Sequence, residues 1–334
     1  MKILCTGGAG YVGSACLRWL LSQGHDAVAY DNLAEGNREA VPSGRLYEGD
    51  ILDQPALEAA LRDHGSEAVM HFAAVANVPD SIADPDSYWR INTIGTKCVL
   101  DAMRKVGVGR LVFSSTAATY GFENEMPLTE DAAQIPKTPY GTSKLAAEHL
   151  IGDYSRAYDI GYAIMRYFNA SGADPDGGYG EDREKESHLI PLTLQAALGK
   201  REKLTIFGHD LPTRDGTCVR DYIHTEDLAR AHELAVEAID PGRGEAYNLG
   251  SGEGTTVREV VRACEQASGR PIPCDYAEPR PGDPPVLVAS SEKIRRDLGW
   301  EPQRSDVCNI VATAWRWHET HPDGYAGRTT MVNR

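Results

Sequence analysis

The chain alternates short, wholly apolar stretches with helical patterns, and this alternation constrains the fold more than any other feature. The strand candidates are residues 2–6 (KILCT), 26–31 (DAVAYD), 45–50 (RLYEGD), 68–74 (AVMHFAA), 110–115 (RLVFSS) and 162–169 (YAIMRYFN). Between the first two, YVGSACLRWLLSQG brings Val12, Cys16, Trp19 and Leu20 to helical spacing, and Gly24 ends the pattern. Strands that are apolar on both faces and alternate with helices predict a parallel sheet covered on both sides. Right-handed crossovers then give an α/β, doubly wound, Rossmann-like fold. After about residue 170 the texture changes. SGADPDGGYGEDREKES reads as an exposed polar loop, and the chain beyond it mixes helices with short strands (KLTIFG, EAYNLG). The expected division is a first domain over 1–170 and a smaller C-terminal α/β lobe over 171–334, some segments returning to the first.

The turn after the first strand carries the first chemistry. TGGAGYVG sets Gly7, Gly10 and Gly13 at G-x-x-G-x-x-G spacing between a strand and a helix that starts at Tyr11 and Val12. The first glycine permits the tight turn, the second lets backbone approach a pyrophosphate, and the third lets the helix close on the sheet. The helix N-terminus adds N–H donors and positive potential. Asp31 ends the second strand with Asn32 beside it, and a carboxylate there accepts from a ribose 2′-hydroxyl, favouring NAD over NADP. A helix cap before NLAEGN is the competing reading of Asp31. Gly49–Asp50, ending the third strand, suits an adenine; a simple turn is the alternative.

A second constellation lies in TPYGTSKLAAEHL (138–150). Thr138 reads as an N-cap and Pro139 as the first helical residue, so Tyr140 and Lys144, four apart, share a face. An ammonium about 4 Å from a phenol, at an effective dielectric near 20, favours the phenolate by about 4 kcal/mol. That would draw a tyrosine from about 10 toward 7 and make it a general base. The fifth strand ends in SSTAATYG (114–121), where Thr116 adds a hydroxyl to the pair, and Ala117 and Ala118 add no acid–base group.

Composition excludes other classes. A net charge of −15 argues against nucleic acid as a partner. The seven cysteines (5, 16, 98, 218, 264, 274, 308) form no C-x-x-C pair and fit reduced thiols in the cytoplasm. No apolar run approaches a bilayer span, and MKILCTGGAG leaves no room for a signal peptide. The ten histidines show no metal-ligand spacing, so no metal is expected. His224 and His232 read as polar surface positions or supports one layer behind the site, and Trp315 and Trp317 as packing.

Across nearly its whole length the chain resembles an extended short-chain dehydrogenase/reductase, and within that group the UDP-glucose 4-epimerase family. The motifs are TGGAGYVGS, HFAA (71–74), FSSTAATYG, PYGTSK, RYFNASGA (166–173), LTIFGHDLPTRDGTCVRDYIHTEDLARAH, YNLGSGEG and RPGDPPVLVASSEK. The resemblance implies a triad of Thr116, Tyr140 and Lys144 and an NAD retained through turnover. Tyr140 would take the C4 hydroxyl proton while NAD takes the C4 hydride; the 4-keto sugar swings about its diphosphate and the hydride returns. Implied NAD contacts include Asp50, Ile51, Phe72, Ala73, Ala74, Asn92, Ser114, Tyr167 and Phe168. The UDP-sugar would meet Asn169, His188, Leu189, Thr205, Phe207, Arg220, Tyr222, Arg280, Asp283 and Leu287. His188 stands where asparagine is common, and Ala76 where many members carry a lysine near the NAD diphosphate. Leu287 leaves more room than the tyrosine of strict UDP-galactose enzymes, so UDP-N-acetylhexosamines and UDP-pentoses are alternative substrates. Sugar-nucleotide dehydratases carry an Asp-Glu pair after the threonine; Ala117 and Ala118 stand there instead. A non-catalytic NAD sensor would lose Tyr140 or Lys144. A homodimer through segments 84–106 and 139–157 is also implied.

Overall fold

The computed structural model describes residues 1–280 and 283–326. The first part of the chain runs β1 (Lys2–Thr6), α1 (Tyr11–Ser22), β2 (Asp26–Asp31), β3 (Leu46–Glu48), α2 (Gln54–His64) and β4 (Ala68–His71). The short α3 (Val78–Ala83) and α4 (Pro85–Tyr88) come next, then a π-helical turn (Trp89–Gly95) that continues into α5 (Thr96–Val106). After these come β5 (Arg110–Thr116), α6 (Pro139–Tyr158) and β6 (Gly161–Tyr167). The remainder contributes β7 (Asn169–Ser171), α7 (Leu189–Ala197), β8 (Leu204–Phe207), β9 (Val219–Arg220), β10 (Tyr222–His224) and α8 (Thr225–Ala238). It ends with β11 (Gly244–Leu249), β12 (Thr255–Thr256), α9 (Val257–Ser268), β13 (Cys274–Ala277), β14 (Val286–Leu287), α10 (Glu292–Leu298) and α11 (Val307–Thr320).

Seven strands form one sheet in the order β11-β6-β5-β4-β1-β2-β3, and every pair is parallel. Alternate residues of each strand serve opposite faces. Ile3, Cys5, Ala29, Met70 and Met165 pack with Leu17 and Leu20 of α1 and Leu228, Ala231 and Ala235 of α8. Leu4, Val28, Val69, Phe113 and Ile164 pack with Leu57 of α2, Leu100 and Met103 of α5 and Ile151 of α6. Covering both faces is what lets these strands be apolar throughout, as the doubly wound reading requires. The strand order reverses between β1 and β4, and in such sheets the crevice at the reversal binds ligands.

A separate core joins α7, β8, α9 and α11 through Leu194, Ile206, Val260, Cys264, Ile310 and Trp315. The chain after residue 170 does not remain with it. EAYNLG, read from sequence as part of the smaller lobe, is β11 and extends the main sheet beside β6, and α8 covers that sheet's face. Only pairing partners distant in sequence decide this.

Two expectations are overturned. The 171–187 segment is not an exposed loop throughout: Ala173, Tyr179 and Glu181 are buried, and Ala173 packs with Trp317 and Tyr325, while Glu184, Lys185 and Ser187 are exposed. Of the two readings of His224 and His232 the surface one fails, since both are fully buried, and the other agrees with His232, whose ring lies against Phe72 and Tyr167 of the cleft. His224 caps α8 by accepting from the Glu226 N–H at 3.1 Å, and its Nε2 meets Thr313 Oγ1 at 3.0 Å. His232 donates from Nδ1 to the Leu228 carbonyl at 2.8 Å, its ring tilted 39° to that of Phe72.

Candidate active site

The sheet's C-terminal strand ends open into a cleft of about 1260 Å³. Its floor near β1 is the glycine turn. Gly7 adopts φ +70°, and a Cβ there would lie 2.4 Å from the Ala73 nitrogen. Gly13 was expected to let the helix close on the sheet; its close approach is to the turn itself, a Cβ falling 2.2 Å from the Gly7 carbonyl oxygen. α1 starts at Gly10 with no side-chain cap and no acidic residue in its first turn, so its first N–H groups are left for an anion. Ala73 and Ala74, following β4, line the cleft directly beside this turn, with Phe72.

Asp31 is buried at the end of β2 and lines the cleft. Its carboxylate accepts from the Ala9 N–H at 3.0 Å and the Leu33 N–H at 2.8 Å, so it braces the glycine turn rather than capping a helix. Burial raises its pKa. Asp50 lines the same end; its Oδ1 accepts from the Leu52 N–H at 2.8 Å and its Oδ2 from Asn32 Nδ2 at 3.2 Å. These residues fit a dinucleotide: a tight glycine cradle, free helix N–H groups and a strand-end carboxylate line the same cleft.

At the far end, Thr116 closes β5 and Tyr140 and Lys144 project from the first two turns of α6. Thr138 caps α6, accepting from the Gly141 N–H at 3.2 Å, with Pro139 at its first position, as expected. Further along the same face, Glu148 binds Arg166 of β6 at 2.7 Å and accepts from the Ser115 hydroxyl of β5. Arg166 also donates to the Tyr120 hydroxyl at 2.8 Å. This buried network locks the helix to the sheet and aims the pair one and two turns above it.

The electrostatics differ from the sequence expectation. Burial pushes the Tyr140 phenol up rather than toward 7, with Thr116 hydrogen bonding opposing it. Burial also pushes Lys144 down, to about 7, against the pull of Glu148. Lys144 is 2% exposed and packs over Phe113. The sequence argument placed a charged lysine in a medium of dielectric near 20; the folded chain removes water from both groups and penalises both charges.

Gly10, Tyr11, Val12, Asn32, Ile51, Ser114, Tyr167, Phe168, Asn169, His188, Leu189, Tyr222, Asp283 and Leu287 also line the cleft. Ser114 Oγ and the Tyr167 hydroxyl share a hydrogen bond. Asn92 does not reach the cleft. It is buried behind the wall, its amide clamping Val75 N–H and C=O at 2.9 and 3.0 Å and donating to Ser143 at 3.0 Å. Thr205, Phe207, Arg220 and Arg280 also stand outside the lining. Arg220 pairs with Asp283 at the rim, Arg280 lies 4.2 Å above the Phe207 ring, and Thr205 pairs in register with Asp275. What sequence reasoning missed is the pair Glu181 and Arg183, which joins the expected His188. Buried Glu181 receives His188 Nδ1 at 2.6 Å and Arg183 Nε at 2.8 Å, holding both side chains at the cleft. Glu181, Glu186 and His188 also stand within ligating distance of one another, but their ion pairing explains the cluster. No periodicity marks burial in an irregular segment, so only the mixture of charges around Gly180 hinted at it.

The fold and the site define a dinucleotide-dependent enzyme of the extended short-chain dehydrogenase/reductase kind. The model of the NAD dependent epimerase/dehydratase family matches residues 3–250. A UDP-glucose 4-epimerase from Corynebacterium glutamicum is 50% identical over 94% of this chain and 95% of its own. The crystal structure of a Brucella ovis UDP-glucose 4-epimerase in complex with NAD is 46% identical, covers 94% of this chain and 97% of that one, and superposes with a TM-score of 0.91. That of a Bifidobacterium longum UDP-glucose 4-epimerase in complex with NAD+ and UDP is 34% identical, covers 97% and 100%, and also scores 0.91. The chain belongs to the NAD dependent epimerase/dehydratase family, and its cofactor is NAD.

Proposed function

We propose that the chain inverts C4 of a UDP-hexose, interconverting UDP-glucose and UDP-galactose. The observation that carries this reading is the convergence of Thr116, Tyr140 and Lys144 at the end of β5, beside a wall at Ala117 and Ala118 that holds no acid or base. Tyr140 removes the proton of the C4 hydroxyl, Thr116 orients that hydroxyl and favours the phenolate, and Lys144 supplies the counter-charge. Bound NAD supplies the hydride acceptor and donor and a positive charge that favours the phenolate. With no acid–base pair to drive elimination, the 4-keto sugar is left to recover its hydride on the other face. Residues 1–170 hold mainly the cofactor and 171–334 mainly the UDP-sugar. His188, Leu189, Tyr222, Asp283 and Leu287 line the sugar-nucleotide end, with Arg220 and Arg280 behind it as diphosphate partners.

The deciding measurement is incubation of the purified protein with UDP-glucose or UDP-galactose, without added NAD, followed by product separation. Interconversion is expected. Accumulation of a 4-keto-6-deoxy sugar would show a dehydratase, and no turnover would leave an NAD sensor. Parallel incubations with UDP-N-acetylhexosamines and UDP-pentoses test whether Leu287 admits them. The reading places the enzyme in galactose metabolism in the cytoplasm, supported by seven free cysteines. Among the described residues no helix is long and apolar enough to cross a membrane. A homodimer through 84–106 and 139–157 is supported by exposed Trp89 and Ile94 on the first segment, with Tyr158 just beyond the second. Light scattering at the monomer mass would refute it.

A further inference from the structure

We infer that Arg183 is the counter-charge for the diphosphate of the bound dinucleotide, closing over it from the loop that faces the glycine turn. The inference rests on NAD being the cofactor and adds the group that holds it.

The position follows from what the guanidinium acts on. Arg183 lines the cleft, and its charge favours the ionised forms of Tyr11, Glu35, Tyr140 and Tyr167. Tyr11 begins α1 at the glycine turn, Glu35 follows β2, Tyr140 stands on α6, and Tyr167 ends β6. Arg183 and these four residues line one cleft, which runs from the glycine turn to Tyr140. A dinucleotide with its adenosine ribose at Asp31 and its nicotinamide at Tyr140 must run its diphosphate through that stretch. The loop is tied there from the other side as well, since the Tyr11 hydroxyl donates to the Gly172 carbonyl at 2.5 Å.

The side chain is anchored and available. Nε donates to Glu181 Oε1 at 2.8 Å, and Glu181 is 5% exposed, so the anchor is rigid. Among the described residues neither terminal guanidinium nitrogen makes a hydrogen bond, and the side chain is 29% exposed. This leaves a preset fork of N–H donors of the kind that engages two phosphate oxygens.

Charge balance requires such a group. The diphosphate brings about two negative charges against roughly half a positive charge from a helix N-terminus. The cleft adds acids of its own, Glu35, Asp80 and Glu181 lining it with Arg183. Of the lysines and arginines lining the cleft, only Lys144 and Arg183 are not surface-exposed, and Lys144 lies one turn of α6 after Tyr140. Arg38 and Lys137 are exposed and paired with Glu48 and Glu123. His188 shares Glu181 with Arg183 but sits at the start of α7, toward the sugar-nucleotide end.

The test titrates cofactor-stripped protein with NAD, ADP, adenosine and UDP in wild type, Arg183→Gln and Arg183→Lys, with thermal unfolding as the folding control. Arg183→Gln is expected to weaken NAD and ADP by about 10- to 100-fold, the range for a lost hydrogen bond to a charged group, with adenosine and UDP within about twofold. Arg183→Lys, which keeps the charge but not the fork, should lose several-fold, and it decides the matter if the glutamine variant does not fold. NAD and ADP bound equally by wild type and variants would overturn the inference alone. Weakened UDP with unchanged NAD would also overturn it, placing the fork on the sugar nucleotide. A wild-type protein that binds no NAD would overturn both this inference and the cofactor reading beneath it.

Discussion

The ammonium nitrogen of Lys144 lies 4.2 Å from the centre of the Phe113 ring, one turn of α6 after Tyr140. The ring face offers some cation–π attraction, and Glu148 one turn further along α6 favours the charge, yet burial wins and draws the group from 10.5 to about 7. The unfolded chain therefore binds the extra proton between about pH 7 and 10.5. The penalty is full below pH 7 and fades as pH rises toward 10.5. Lys144→Met should raise the unfolding temperature by several degrees at pH 6 and by less at pH 9, while turnover is lost. Calorimetry at the two pH values checks this; a variant no more stable at pH 6 than wild type would contradict it.

Tyr140→Phe should abolish turnover and leave the protein folded with NAD bound, because the ring remains and only the proton-accepting oxygen is lost. Thr116→Val removes the hydrogen bond that favours the phenolate. Tyr140 then ionises at higher pH, so the acid limb of the pH–rate profile moves upward and the neutral-pH rate falls about 10- to 100-fold. An unmoved limb would separate Thr116 from the tyrosine.

Asp31→Ala should weaken both NAD and free adenosine by at least about tenfold. It leaves the Ala9 and Leu33 N–H groups without their acceptor, so stability should fall by about 1–3 kcal/mol. Loss of adenosine binding sets this variant apart from Arg183→Gln, whose effect belongs to the diphosphate. Calorimetric titration with adenosine reads the difference directly.

Acid lability should come largely from three buried neutral histidines. His71 bridges Thr6 and Thr96 and ionises only near 3; His224 and His232 are held to about 4. Each binds a proton in the unfolded chain below about 6.5 and in the folded chain only far lower. Stability falls as pH drops through that window, by up to about 4 kcal/mol per pH unit for the three together. His232 Nε2 has no partner, so His232→Phe should leave stability at pH 7.5 nearly unchanged and flatten the slope by about a third. An unchanged slope in denaturant titrations from pH 6.5 to 4.5 would refute its share.

Much of the fold is legible locally. The strands over 2–6 and 26–31 match β1 and β2, and the cap, proline and Tyr-x-x-x-Lys spacing of α6 stand where the residues put them. Such features depend on periodicity and capping within a few residues, information that the segment itself carries. The glycine turn was equally readable, although Gly8 was overlooked: its Cβ would lie 2.7 Å from the Ala29 Cβ of β2, so it sets the turn against the sheet.

The amino-acid order alone determined the alternation of strands and helices, the dinucleotide turn, and the helix start that sets Tyr140 and Lys144 four residues apart on α6. Tertiary structure decided the rest. It carried EAYNLG back to the main sheet, turned Asn92 behind the cleft wall, buried Ala173, Tyr179 and Glu181 of the 171–187 segment and set Arg183 in the cleft lining. It also reversed the expected electrostatics of Tyr140. The reason is common to all of these. Desolvation and packing depend on which distant segments exclude water from a group, and no local window of sequence contains them.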